Sequence, residues 1–89
     1  MRHELSRRQR ECLLWIARGK TYEEISVIEK LSFSSIKNYL DTARHKLNAV
    51  NLPQAVAIAV AIGVLKYDEL QIGDGSALPI FPPRDIMIV

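Results

Sequence analysis

The sequence lacks the features that form disulfides, span a membrane or direct secretion. It contains a single cysteine, Cys12, so no disulfide can form within the chain. Cys12 lies in an apolar run, and we interpret it as a small core residue. The longest apolar run, Ala55 to Leu65, is shorter than the ~20 residues that a membrane-spanning helix needs. No apolar segment follows the basic start. We therefore expect a cytoplasmic protein without a signal peptide or a membrane partner.

Combinations of residues that carry catalysis or bind metals are also missing. Ser34 and Lys37 formally match S-x-x-K, but the companion motifs S-D-N and K-T-G are absent. His3 and His45 are far apart, and together with one cysteine they make no metal-binding set. The 89 residues, 48% of them hydrophobic, suffice for one small core without a deep cavity. We expect no enzyme, no cofactor and no metal.

Charge divides the chain into two parts. Residues 1–66 contain eleven Lys or Arg against six Asp or Glu, whereas residues 67–89 contain one Arg against four acids. A basic body favours a polyanionic partner. Residues 73–76, Gly-Asp-Gly-Ser, are typical of a turn, and the three prolines that follow disfavour helix. We predict a folded domain at residues 4–66 and an extended, acidic and apolar C-terminal arm at residues 67–89.

The first helix is predicted over Leu5 to Arg18. Ser6 with Gln9 three residues later is a capping box, and Gly19 can end the helix at positive φ. Three arginines cluster in the first turns, where the helix dipole disfavours cations: Arg7, Arg8 and Arg10. They either contact phosphate or are simply solvated.

The second helix is predicted to begin after Thr21, which forms a second capping box with Glu24. Ile25 and Ile28 are its expected apolar contacts. The helix is short, and Lys30 stands in the following turn where a glycine is often found.

The third helix is predicted from Ser32 to Leu47, with two unlike faces. One face is an apolar stripe at helical spacing: Ile36, Leu40, Ala43 and Leu47. The other lacks a long apolar side chain and comprises Ser34, Lys37, Asn38, Asp41 and His45. Two helices joined by a short turn, the second polar on its free side, indicate a helix-turn-helix whose second helix enters a DNA major groove. The alternative is a surface helix with a solvated polar face.

The fourth helix is predicted to start after Asn51, capped with Gln54, to hold Pro53 in its first turn and to run to about Leu65. It is apolar all round, so something must cover its outer face. We expect a symmetric self-contact, because isologous dimers are the commonest assembly. The residues of this expected dimer interface are Ile58, Ala61, Ile62 and Leu65. The alternative is that the C-terminal arm covers this face.

An ordered series of residues now identifies a family. The series comprises Leu5-Ser6-x-Arg8-x-x-Glu11-x-Leu13-x-x-Ile16-Ala17-x-Gly19, Glu24-Ile25, Ser32-x-x-Ser35-Ile36-Lys37, Lys46-Leu47-Asn48-Ala49 and Gln54-Ala55-Val56-Ala57. With these motifs, residues 4–66 resemble the LuxR-type DNA-binding domain. Trp15 with Gly19-Lys20-Thr21 is similar to the quorum-sensing branch. The resemblance implies an all-α fold of four helices, with the third helix in the major groove and the fourth pairing two domains on an inverted-repeat operator.

The resemblance also implies the residues that contact DNA. It assigns groove and phosphate contacts to Ser34, Ser35, Lys37 and Asn38. Lys37 can donate to guanine or phosphate, and Asn38 can bind adenine through two hydrogen bonds. At the start of the second helix, Thr21 and Tyr22 can donate to phosphate. His45 completes the predicted set on the phosphate side.

Several departures from the family pattern matter, and Asp41, the missing arginine at position 52 and the acidic arm leave a second hypothesis open. Asp41 repels phosphate unless it accepts from cytosine N4 or pairs with Arg44 or His45. Asn51-Leu52-Pro53 lacks the arginine often found at its middle position. The amino-terminal ligand-binding or receiver domain has no counterpart here, so we expect an excised domain or a short protein that does not bind acyl-homoserine lactones in the family's way. The alternative function is an interaction module that forms heterodimers with a full-length LuxR-type regulator and inhibits it.

Overall fold

The computed structural model describes residues 4–70, which fold into four α-helices and a short 3-10 helix. The helices are α1 (Arg7–Ala17), α2 (Tyr22–Glu29), α3 (Phe33–Lys46) and α4 (Leu52–Ala61), followed by the 3-10 helix Tyr67–Leu70. No strand occurs in this part of the chain, and the all-α prediction is confirmed. Among its helices, none is both long and apolar enough to cross a membrane. Most of the predicted arm, from residue 71 onward, lies outside the described residues.

The helix starts follow from N-cap side chains. In each helix the cap side chain accepts a hydrogen bond from the backbone N–H three residues later, and the caps are Ser6, Thr21, Ser32 and Asn51. Both predicted capping boxes of α1 and α2 are complete. In α4 the Gln54 side chain instead accepts from Val50 N, at 2.7 Å. These caps satisfy backbone donors that have no partner inside the helix.

Residues in the left-handed region end the helices. Gly19 does so after α1, with φ 89°, as predicted. Lys30 takes φ 57° in the turn between α2 and α3, so a lysine performs the role that glycine often has there. Gly63, with φ 86°, ends α4 early, and the N–H of Leu65 folds back onto Ala59 O at 3.1 Å. The prediction that α4 runs to Leu65 was therefore wrong, since the helix stops at Ala61.

Helix α3 packs against α1, α2 and α4, and the core lies between them. Side chains at most 1% exposed are contributed by every helix and by the segment after α4: Cys12, Leu13, Ile25, Ile36, Leu40, Ala43, Leu47, Ala55, Ala59 and Leu65. Full burial of one large side chain is worth about 1.5–3 kcal/mol. Ile28, expected to pack inward, is instead 41% exposed.

A cluster around Glu29 fastens α2 to α1. The Glu29 carboxylate accepts from Trp15 Nε1 at 2.8 Å and from Arg8 Nη1 at 2.9 Å. The Arg18 guanidinium covers the indole, 5.1 Å from the ring centroid of Trp15. The tryptophan thus finds its cover in charged neighbours from both helices.

The 3-10 helix is held against α1 by two arginines. Arg10 Nε donates to Val64 O at 3.0 Å, and its guanidinium also binds the Glu69 carboxylate. Arg18 Nε donates to Glu69 O at 2.6 Å. The hydrogen bond from Arg10, together with that from Lys66 N, lowers the pKa of Glu69 to about 2. The ordered contacts therefore continue beyond residue 66.

Candidate nucleic-acid interface

Helix α3 is anchored by one face and exposed on the other. Ile36, Leu40 and Ala43 have no exposed surface, and Leu47 is 1% exposed, which confirms the predicted stripe. On the opposite side the exposed residues are Ser34, Lys37, Asn38 and His45, with Asp41 half-buried among them. Because the stripe fixes the rotation of α3, the same polar side chains must face outward.

Serines organise the start of α3. Ser32 Oγ accepts from Ser35 N at 3.1 Å and donates to Ser35 Oγ at 3.0 Å. Ser34 Oγ lies 3.5 Å from Ser32 Oγ, and Ser34 is exposed. Ser35 is half-buried, so Ser34 is the hydroxyl that a groove ligand would meet first.

Asp41 is the centre of a line of contacts along the outer face. Its Oδ2 lies 3.4 Å from Lys37 Nζ, and its backbone carbonyl accepts from His45 Nδ1 at 2.9 Å. Arg44, one of its expected partners, instead donates to Ala49 O at 3.1 Å. His45 therefore bonds the Asp41 backbone but not its carboxylate, and among residues 4–70 this contact uses Nδ1 and not Nε2.

An open concavity of about 350 Å³ lies along this face. Its lining consists of Ser34, Ser35, Lys37, Asn38 and Asp41. Four of the predicted DNA-binding residues are thus brought together on one surface. Among residues 4–70, no side-chain hydrogen bond partner occupies the Asn38 amide, so its donor and acceptor are both available to a base.

The remaining predicted contacts, Thr21 and Tyr22, lie next to the start of α3. The Thr21 hydroxyl caps α2 by accepting from Glu24 N at 3.1 Å, and its own hydrogen can still be donated. The Tyr22 ring packs against Phe33, with centroids 5.3 Å apart. Phe33 is 54% exposed, so the expectation that the polar face lacks a long apolar side chain was wrong. The sequence signal for this was that Phe33 lies four residues before Lys37, which places both side chains on the same face of the helix.

Each of the three arginines in the first turns of α1 lies beside a carboxylate. Arg7 Nη1 lies 2.9 Å from the Glu11 carboxylate. Arg8 and Arg10 bind the carboxylates of Glu29 and Glu69. These contacts engage Arg8 and Arg10, whereas the Arg7 side chain is 76% exposed, so both interpretations stay open for Arg7.

The outer face of α4 is apolar and contains no charged residue between Leu52 and Ala61. Ala61 is exposed, Ile62 is 46% exposed and Ile58 is half-buried. Leu65, grouped with them in the expected interface, is 0% exposed and belongs to the core. It is buried because Gly63 turns the chain inward, which removes Leu65 from the outer surface.

The described residues also bear on metal binding and on the reactivity of the cysteine. Within residues 4–70, no three His, Cys, Asp or Glu side chains are grouped to hold a metal ion. Burial raises the pKa of the Cys12 thiol to about 11, and the nearby Glu29 charge acts in the same direction. A thiol that stays protonated is a poor nucleophile.

Known bacterial proteins are similar in sequence to this chain. A family model described as bacterial regulatory proteins, luxR family, matches residues 3–59. The chain is 39% identical over 67 residues to the quorum sensing-dependent transcriptional regulator VjbR of Brucella ovis, covering 75% of this chain and 26% of that protein. It is 42% identical over 65 residues to the quorum sensing-dependent transcriptional regulator RpaR of Rhodopseudomonas palustris, covering 73% and 27%.

A third relative is the transcriptional activator protein YukR of Yersinia ruckeri, 34% identical over 62 residues, covering 70% of this chain and 27% of that protein. The chain thus spans about a quarter of the length of these curated relatives. No solved structure matches it significantly. The four helices, the matched residues and these relatives together confirm the resemblance drawn from the sequence: the chain belongs to the luxR family of bacterial regulatory proteins.

Proposed function

We propose that this chain binds double-stranded DNA sequence-specifically, as a homodimer on an inverted-repeat operator, and so regulates transcription in the bacterial cytoplasm. The observation that carries the proposal is the outer face of α3. It presents Ser34, Lys37 and Asn38 to solvent, while its other face is locked into the core. A helix of this kind fits the major groove, where amide and ammonium groups meet distinct base edges.

Phosphate contacts are assigned to the groups around this helix. Thr21 and the backbone N–H groups at the start of α2 can donate to the DNA backbone, as helix N-termini commonly do. His45 lies in the last turn of α3, where the imidazolium form can donate its Nε2–H to the next phosphate. Such contacts orient the domain on DNA, whereas Lys37 and Asn38 supply base recognition.

Dimerisation is assigned to the outer face of α4. Ala61 and Ile62 are exposed, and alanines allow two helices to approach closely. Ala57, one turn before Ala61, is also exposed and extends the same surface. Ile58 lies at its edge. Two copies related by a twofold axis would hide this apolar face and place two α3 helices on successive half-sites.

The DNA-binding part is tested by fluorescence anisotropy with a library of inverted-repeat duplexes at increasing salt. Affinity should fall linearly on a log–log plot, because bound phosphates release counterions. Lys37→Ala should weaken binding by at least about fivefold, as expected for loss of a base contact. Lys66→Ala, an exposed lysine near the 3-10 helix, is the matched control. Equal binding by wild type and Lys37→Ala would exclude α3 as the recognition helix.

The dimer is tested by sedimentation of the full chain. Ala61→Glu places a charge on the exposed α4 face and should convert dimer to monomer without loss of helical circular dichroism. Val27→Glu is the control, since Val27 is 76% exposed on α2, away from the proposed interface. A wild-type monomer at high micromolar concentration would contradict the homodimer.

A second candidate function is inhibition of a full-length LuxR-type regulator by heterodimer formation. The uncharged, exposed α4 face and the acid at Asp41 favour it. The test mixes the chain with such a regulator on its operator. Loss of the regulator's shifted band, without binding of DNA by the chain alone, would support inhibition over direct DNA binding.

A further inference from the structure

Lys37 and Asp41 form one polar unit on the outer face of α3. Their Nζ and Oδ2 atoms are 3.4 Å apart, and the side chains are 59% and 46% exposed. An exposed pair of this kind contributes little to folding, and lysine before the acid is the weaker order on a helix. Stability therefore does not account for an acid at the middle of a surface that is proposed to face DNA.

The edge of a base pair presents a matching arrangement. In a G·C pair, guanine O6 accepts and cytosine N4 donates in the major groove, and these two atoms are themselves about 2.9 Å apart because they pair with each other. A lysine nitrogen and a carboxylate oxygen 3.4 Å apart have a similar spacing and the opposite polarity. The lysine can thus meet the acceptor while the carboxylate meets the donor.

The flanking atoms distinguish G·C from A·T. Beside O6, guanine offers N7 as a second acceptor to the lysine, and cytosine has no acceptor beside N4 to repel the carboxylate. In an A·T pair, adenine N7 lies next to the N6 amino group and repels the carboxylate, while the thymine methyl crowds the approach to O4. Both differences favour G·C.

We propose that Lys37 and Asp41 act together to recognise a single G·C base pair in each half-site, with Lys37 donating to guanine O6 and N7 and Asp41 accepting from cytosine N4. This inference rests on the proposed function, because it assigns specificity to the same helix. Asp41 then serves mainly for discrimination. At a G·C pair its charge is satisfied by cytosine N4, and at other sequences it faces acceptors or phosphates and weakens binding.

The experiment selects bound duplexes from an inverted-repeat library with randomised half-sites and sequences them. The wild type should require G·C at one position of each half-site, by about tenfold over A·T. Asp41→Ala and Asp41→Asn should reduce that preference to about twofold or less, while Asp41→Ala binds the unselected library at least as tightly as the wild type. Asp68→Asn removes the same charge from an exposed residue of the 3-10 helix and should leave the preference unchanged.

The outcomes separate the two proposals. If the wild type binds no member of the library at low salt, DNA binding itself fails and the inference fails with it. If it binds, but Asp41→Ala and Asp41→Asn keep the same G·C preference, only recognition by the pair is overturned. Thermal melting of each variant checks folding, and the exposure of both side chains predicts little change.

Discussion

Replacing Glu29 by alanine tests how α1 and α2 are held together. The substitution leaves two donors of α1 without their acceptor: the indole N–H of Trp15 and the guanidinium of Arg8, which lie 2.8 Å and 2.9 Å from the carboxylate. The Glu29 side chain is only 13% exposed, so water replaces it poorly. We therefore expect a clear loss of stability from a residue on the rim of the core.

The size of the loss follows from the separate contributions. The Trp15 N–H is partly buried, and leaving such a donor unpaired costs about 1–3 kcal/mol. The Arg8 side chain is 37% exposed, so its ion pair adds less than about 1 kcal/mol. Removing an acid from the last residue of α2 returns about 0.5 kcal/mol through the helix dipole. The net loss for Glu29→Ala is about 2 kcal/mol, or roughly 10 °C in Tm for a domain of this size.

Urea unfolding followed by the fluorescence of Trp15, the only tryptophan, measures this loss. Glu29→Gln keeps an acceptor for the indole and should cost less than about 1 kcal/mol. Glu23→Ala removes an exposed acid from the same helix and should change stability by no more than about 0.5 kcal/mol. The reasoning is refuted if Glu29→Ala is as stable as the wild type, or if the alanine and glutamine variants lose the same amount.

Three further predictions concern single groups. The pKa of Glu69 is lowered to about 2 from an ordinary value of 4.5. The contact between Glu69 and Arg10 therefore stabilises the fold fully above pH 4.5, and this stabilisation is lost as the pH falls toward 2. The stability difference between wild type and Glu69→Gln should vanish over that range. The raised pKa of Cys12, about 11 against 9.0, means that stability falls as the pH rises from 9 to 11. At pH 8 the native thiol should react with a thiol reagent only as fast as the protein unfolds, and rapid labelling of the folded protein would contradict its burial. Lys30→Gly should raise Tm by a few degrees in a melting experiment, because an L-residue at φ 57° is strained by about 1–2 kcal/mol, and an unchanged or lower Tm would count against that strain.

Local signals in the sequence were sufficient for much of the fold. Capping boxes at Ser6 and Thr21 depend on residues three positions apart, so their geometry is set without the rest of the protein. The apolar stripe of α3 follows from helical periodicity alone. That stripe also determines which residues face outward, and so the candidate interface, including Lys37 and Asn38, could be identified before the structure.

The sequence-based predictions were wrong where long-range contacts determine the end of a helix or the burial of a side chain. Periodicity continued α4 to Leu65, but Gly63 turns the chain and buries Leu65 between helices, a choice that depends on space in the core. The pattern likewise placed Ile28 inward, although the neighbouring helices leave it 41% exposed. Helical spacing states which residues share a face, but not how much of that face a neighbour covers.

The sequence by itself determined the four helices, the rotation of α3 and the family to which the chain belongs. Tertiary structure decided which charged side chains of α1 are paired: it joins Arg8 to Glu29 and Arg10 to Glu69, whereas Lys37 and Asp41 are neighbours on one helix. The first two pairs join residues 21 and 59 positions apart, so no local pattern could reveal them. Ion pairs depend on distances of a few ångströms between side chains, and only packing brings distant residues that close.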